Sequence, residues 1–254
     1  MNNQGVLMGR LIILLLFLSA GLTGCGTPSG GGNPNASAKV HTELAGMYFE
    51  MGKHGVALEE IDLALQANRN YAPAYNVRGL VHMALRENNE AEEDFQKSLR
   101  LDNTDSDAHN NYGWFLCQHD RAKESIAQFM AALKNPLYQT PARAYLNAGL
   151  CSRKAGNSKD AEEFLKTALQ LQPDLAQASL GLAELNFASG DYFAAKKYFT
   201  SFSDKSGSLN AEQLWLAVRI ARKTGDRNAE SSYAMQLRKL FPDSRETQTL
   251  LRGE

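Results

Sequence analysis

The sequence lacks an excess of either charge: 27 lysines and arginines stand against 28 aspartates and glutamates, and no block of five or six like charges interrupts their spread. Neutralising phosphates needs a basic stripe, so nucleic acid is not an expected partner. The most basic stretch, Arg219, Arg222, Lys223, Arg227, Arg238 and Lys239, is interleaved with Asp226, Glu230 and apolar residues and reads as a solvated helix surface. Catalytic signatures are missing as well. The five histidines, His41, His54, His82, His109 and His119, are scattered, with no HExxH helix, no GxSxG elbow and no phosphate-cradling glycine loop. The adjacent carboxylates Glu59-Glu60 and Glu92-Glu93-Asp94 are expected on exposed helix faces, where such groups are solvated. Neither an enzyme nor a small-molecule substrate is expected, and no cofactor. His119 lies near Cys117, but no cluster of four ligands has the spacing zinc requires, so no metal is expected either.

The apolar run from Leu11 to Leu18 falls short of the roughly 20 residues that span a bilayer as a helix. It follows a short polar start ending at Arg10 and leads into Ser19, Ala20 and Gly21, the layout of a secretory signal over residues 1–24. Leu22-Thr23-Gly24-Cys25 resembles the bacterial lipobox. That resemblance implies cleavage before Cys25 and a diacylglycerol on its thiol, a covalent lipid and not a cofactor. Gly26, where an aspartate would mark inner-membrane retention, resembles the outer-membrane sorting class, implying an anchor facing the periplasm. Each buried CH₂ of such an anchor contributes about 0.8 kcal/mol, so several chains give stable attachment where one is marginal. Residues 25–37 then form a tether: Gly26 to Ala36 reads GTPSGGGNPNA, without apolar periodicity. A Gly-rich coil of that length spans roughly 20 Å.

From residue 38 to 254 the chain repeats. Aligning on a small residue gives Ala57, Ala91, Ser125, Ala161, Ala195 and Ala229, at intervals of 34, 34, 36, 34 and 34. Four residues beyond each lies a large side chain: Ile61, Phe95, Phe129, Leu165, Phe199 and Tyr233. Upstream, Ala45, Gly79, Gly113, Gly149, Ala183 and Ala217 recur where two helices would touch and a larger substituent would force their axes apart. This is the tetratricopeptide pattern. It predicts an all-α superhelical solenoid of about six helix-turn-helix repeats starting near 38, 72, 106, 142, 176 and 210. Gly52, Gly156, Gly190 and Gly225 mark breaks between helices, and Pro173 and Pro242 close second helices. Ser244 is placed to cap a last helix through Leu250 and Leu251 that shields the open end of the stack.

Cys117 and Cys151 fall in the first helices of repeats three and four. Repeat three is two residues longer than the others, so the cysteines occupy positions 12 and 10 of their repeats, a rotation of about 200° around the helix. Adjacent helices meet through opposite faces, so this offset suits a bridge. In an oxidising periplasm a disulfide is expected, and the chain-entropy model gives it about 3.8 kcal/mol for a loop of 34 residues.

The phrases Asn110-Asn111-Tyr112-Gly113-Trp114-Phe115-Leu116-Cys117, Asn135-Pro136-Leu137-Tyr138 and Asn147-Ala148-Gly149-Leu150-Cys151, with the lipobox, resemble the type IV pilus biogenesis and stability lipoproteins of the PilF/PilW type. The resemblance covers almost the whole mature chain. It implies a pilotin-like role: an outer-membrane lipoprotein that binds secretin subunits and promotes their localisation and multimerisation. In such repeats the groove is lined by first-helix positions 2, 5, 9 and 12, which here include Asn76, Leu80, Met83, Asn110, Trp114, Leu146 and Leu150. That set suits a helix or an extended apolar strip, with Trp114 as the aromatic anchor. The arrangement of cations converging with asparagine that binds a free C-terminal carboxylate is not found in successive repeats. A periplasmic adaptor lipoprotein for cell-wall enzymes is the alternative the repeats also allow.

Overall fold

The computed structural model describes residues 33–253. The signal over 1–24, Cys25 and most of the tether therefore lie outside the described residues. The helices come in antiparallel pairs: α1 (Pro34–Glu50) with α2 (His54–Ala67), α3 (Ala72–Leu85) with α4 (Asn88–Leu101), and α5 (Ser106–Gln118) with α6 (Ala122–Ala132). There follow α7 (Pro141–Lys154) with α8 (Ser158–Leu171), α9 (Ala176–Ser189) with α10 (Tyr192–Ser203), and α11 (Ala211–Thr224) with α12 (Arg227–Leu240). A final helix, α13 (Arg245–Leu251), packs on both α11 and α12. This is the all-α tetratricopeptide solenoid with its capping helix.

One boundary is corrected. The first helix begins at Pro34, so residues 34–37 belong to the folded body and not to the tether. Composition read Asn33 and Pro34 as coil, but the Asn33 side chain accepts from the Asn35 amide at 3.0 Å and Pro34 has the φ that a first helical position needs. The Asn68 amide also donates to the Asn35 side chain, tying this first turn to the end of α2.

The recurring triplets form the core because each second helix lays its small-large-small face on its own first helix. Ala57, Ile61 and Ala64, Ala91, Phe95 and Ser98, Ser125, Phe129 and Ala132, and Ala161, Leu165 and Ala168 are all shut off from solvent. A Cβ on Gly79 would sit 2.9 Å from the Phe95 ring, and one on Gly149 would sit 2.6 Å from Leu165 Cγ. The glycines of the central repeats thus set the approach of the two helices. Burying each large side chain stabilises by about 2 to 3 kcal/mol. In the last repeat Ala229 and Tyr233 stay partly exposed, with only α13 beyond them; Ser244 caps that helix and Thr247 anchors it through Phe241 O at 2.7 Å.

Turns inside the repeats share one geometry: Gly52, Arg86, Asp120, Gly156, Gly190 and Gly225 all have positive φ, between 58° and 87°. Four are glycines. Arg86 and Asp120 hold the same conformation with a side chain, at a steric cost.

Successive first helices pack on one another, α1 on α3, α3 on α5, α5 on α7 and α7 on α9, whereas successive second helices do not. The array therefore curves toward the first-helix side, and those helices line its concave surface. Among the described residues no helix is long and apolar enough to cross a membrane.

Candidate protein-binding groove

On the concave side, where α5, α7 and the start of α9 adjoin, lies an open depression of about 410 Å³. Trp114, Leu146 and Leu175 give it apolar surface, and Asn110, Asn111 and Asn147 line it with carboxamides. Gln172 and Gln177 extend that polar lining, and the exposed Arg143 is its only charged group. No nucleophile and base converge here. A carboxamide offers both a donor and an acceptor, the pair that a peptide backbone presents in complement. Such amides complement a polypeptide main chain, and an indole and leucines complement apolar side chains.

The carboxamides are ordered by one another. The Asn111 amide donates to Asn76 Oδ1 at 3.1 Å, and the Asn147 amide donates to Asn110 Oδ1 at 3.0 Å. Each bond crosses from one repeat to the next. Asn76 and Asn110 are buried, at 7% and 3% exposure, so they act mainly as the seats on which Asn111 and Asn147 are oriented.

Of the seven residues expected from position alone, Asn110, Trp114 and Leu146 come together in this depression. The other four do not line it. Leu80 and Met83 pack on the cluster of Phe95, Tyr112 and Phe115, and Leu150 packs on the cluster around Leu165 and Leu182. Asn76 reaches the depression only through Asn111. Sequence reasoning missed Asn111, Asn147 and Arg143, although the asparagine pair at 110 and 111 and the one at 147 lay inside the phrases singled out.

Beneath the groove, Cys117 and Cys151 are joined by a disulfide, their Cα atoms 5.8 Å apart. They share a buried cluster with Phe129 and Ala148, and Trp114 packs against it. Lys154 adds a second tie between α5 and α7, donating to Cys117 O at 3.0 Å and pairing with Asp120 at 2.8 Å. One repeat earlier, Arg121 binds Glu92 at 2.6 Å and Tyr112 donates to the same carboxylate at 2.8 Å. Burial pushes the Glu92 carboxyl up, but these hydrogen bonds outweigh it and hold the group below the usual glutamate range. The walls of the groove are thus fixed against each other by covalent and charged links.

Comparison with known proteins agrees with this architecture. Tetratricopeptide repeat models match residues 72–105, 116–176 and 152–201. The chain is 30% identical over 242 residues to the type IV pilus assembly protein PilF of Pseudomonas aeruginosa, covering 92% of this chain and 95% of that protein. Among solved structures it resembles PilW, a widely conserved type IV pilus biogenesis factor, with a TM-score of 0.78 and 35% identity over 84% of this chain and 98% of PilW. The structure of the Pseudomonas aeruginosa PilF superposes with a TM-score of 0.82 and 27% identity, covering 88% of this chain and all of that one.

Proposed function

Because the chain belongs to the family of PilF and PilW type IV pilus assembly proteins, which are not enzymes, we propose that it is an outer-membrane lipoprotein that acts as a pilotin for the pilus secretin. The lipid on Cys25 confines the solenoid to the periplasmic face of the outer membrane. The concave groove holds a segment of a secretin subunit, and the tether keeps that subunit close to its neighbours until they form the ring. Tethering of this kind raises effective concentration without any new contact. The observation that carries the reading is the central depression, where Trp114 stands beside asparagines already oriented from repeat to repeat.

The test is Trp114→Ala. Removing an aromatic anchor weakens binding by about 2 kcal/mol, roughly 30-fold in Kd. Secretin captured from solubilised envelope and secretin multimers in the outer membrane should both fall, while circular dichroism shows the same helix content. Unchanged multimers would remove Trp114 from the site, and capture of cell-wall synthases or hydrolases in place of secretin would favour the adaptor reading.

A further inference from the structure

The close succession of first helices breaks once. Between α9 and α11 their direct packing is all but lost, and the seven-residue connection from Asp204 to Asn210 replaces the four-residue link seen between α8 and α9. What opens there is a second cleft of about 420 Å³ on the concave side. Leu180 and Leu216 give it apolar surface, Phe187 and Trp215 give it rings, and Arg219 lines it with Glu184. Leu180 and Glu184 occupy in repeat five the same positions, 5 and 9, that supply Asn110 and Trp114 in repeat three, and Phe187 stands at position 12.

Arg219 is the unusual member. The sequence places it in a run that reads as solvated helix surface, and the structure corrects this. Its guanidinium carbon lies 4.7 Å from the centre of the Phe187 ring and 5.9 Å from that of Trp215. Its Nε is closed off from solvent with no acceptor, and no described residue accepts a hydrogen bond from the guanidinium. Glu184, whose charge acts on it, is already engaged, pairing with Arg153 at 2.9 Å. Burial accordingly pulls the Arg219 pKa below the usual arginine range, against the opposing field of Glu184. Buried donors without partners are rare in folded proteins, and a planar fork of five donors matches a carboxylate or a phosphate.

We propose that the cleft between α9 and α11 is a second docking site, which takes an acidic side chain of a protein partner on Arg219 and seats the large apolar residue next to it against Trp215. Charge sets the details. Glu212 and Glu246 also line the cleft, so a run of acidic residues or a phosphate dianion is repelled while a single carboxylate among neutral or basic residues is accepted. A free chain terminus is the poorer fit, because no second cation lines the cleft and the Asn210 side chain is spent in the capping box of α11. The site goes beyond the central groove and does not depend on which pilus protein the groove holds.

The probe is a library of random peptides displayed without a free carboxylate, selected on the purified chain and on its Arg219→Gln variant. The wild type should enrich a solitary aspartate or glutamate beside a leucine or aromatic residue, and the variant should lose that enrichment. Resynthesised with glutamine in place of the acid, the best peptide should bind about tenfold more weakly. In the wild type it should also leave the Nε–Hε resonance of Arg219 unmoved, while the acidic peptide shifts it, a readout that stands even if the variant folds poorly. Identical peptides from both proteins, or no shift of that resonance by any selected acidic peptide, would overturn the proposal.

Discussion

Repeats three and four and repeats five and six are built from the same helical pair, yet they are joined in opposite ways. The earlier junction carries a disulfide, the Lys154 tie and a bond between Asn147 and Asn110, and its first helices lie in contact. The later one has a single Lys196–Asp226 bridge at 2.8 Å between its second helices, and an open cleft between its first helices. In a solenoid whose stability is a sum of nearest-neighbour terms, junctions need not be equal. This chain concentrates its strong links under the central groove and leaves an open cleft between first helices that have few direct ties.

The comparison breaks most readily at the disulfide. Replacing Cys117 and Cys151 with serine should remove about 3 to 4 kcal/mol. Hydrogen exchange should then show α5 and α7 losing protection while α9 to α12 keep theirs; an equal loss along the whole chain would mean that the junctions are not separable. A smaller effect follows from the glycine contacts. Gly149→Ala puts a methyl 2.6 Å from Leu165 Cγ and 3.2 Å from the carbonyl oxygen of Ala161, so it should cost about 2 kcal/mol in a urea melt. Ala183→Gly, the reverse change in repeat five, should cost under about 1 kcal/mol. If the two are alike, the central repeats are no tighter than their neighbours. The smallest effect concerns the turns. Arg86 has φ 64° where repeats five and six have glycine, so Arg86→Gly should raise stability by about 1 kcal/mol, and Gly190→Ala should lower it by a similar amount. A destabilised Arg86→Gly variant would show that the arginine side chain does more than tolerate the turn.

These particulars also mark how far the sequence could be read. The period was legible because Phe95, Phe129 and Leu165 each need a small partner at a fixed distance along the chain, and such a constraint survives in one dimension. The start of α1 was not, because Asn33 and Pro34 belong equally to coils and to helix beginnings until the capping bond is seen. Groove positions were half legible. A positional rule gives the angle of a side chain around its helix, which sufficed for Trp114 and Leu146, but it cannot say whether a neighbouring helix stands close enough to cover it, as happens to Leu80, Met83 and Leu150. Arg219 was lost for a related reason: its burial by Phe187 and Trp215 depends on the gap between α9 and α11, which no local pattern encodes.

The two-residue offset between Cys117 and Cys151 within their helices has an effect out of proportion to its size. Cys117 follows Gly113 by four residues, while Cys151 follows Gly149 by two, so in a strictly regular tandem array the sulfurs would share one azimuth and could not meet. Modular chains usually lengthen or shorten by whole units with little penalty. Here a whole unit inserted between repeats three and four would separate α5 from α7 and carry the two sulfurs out of reach of each other, so this junction pins the spacing of an otherwise expandable design.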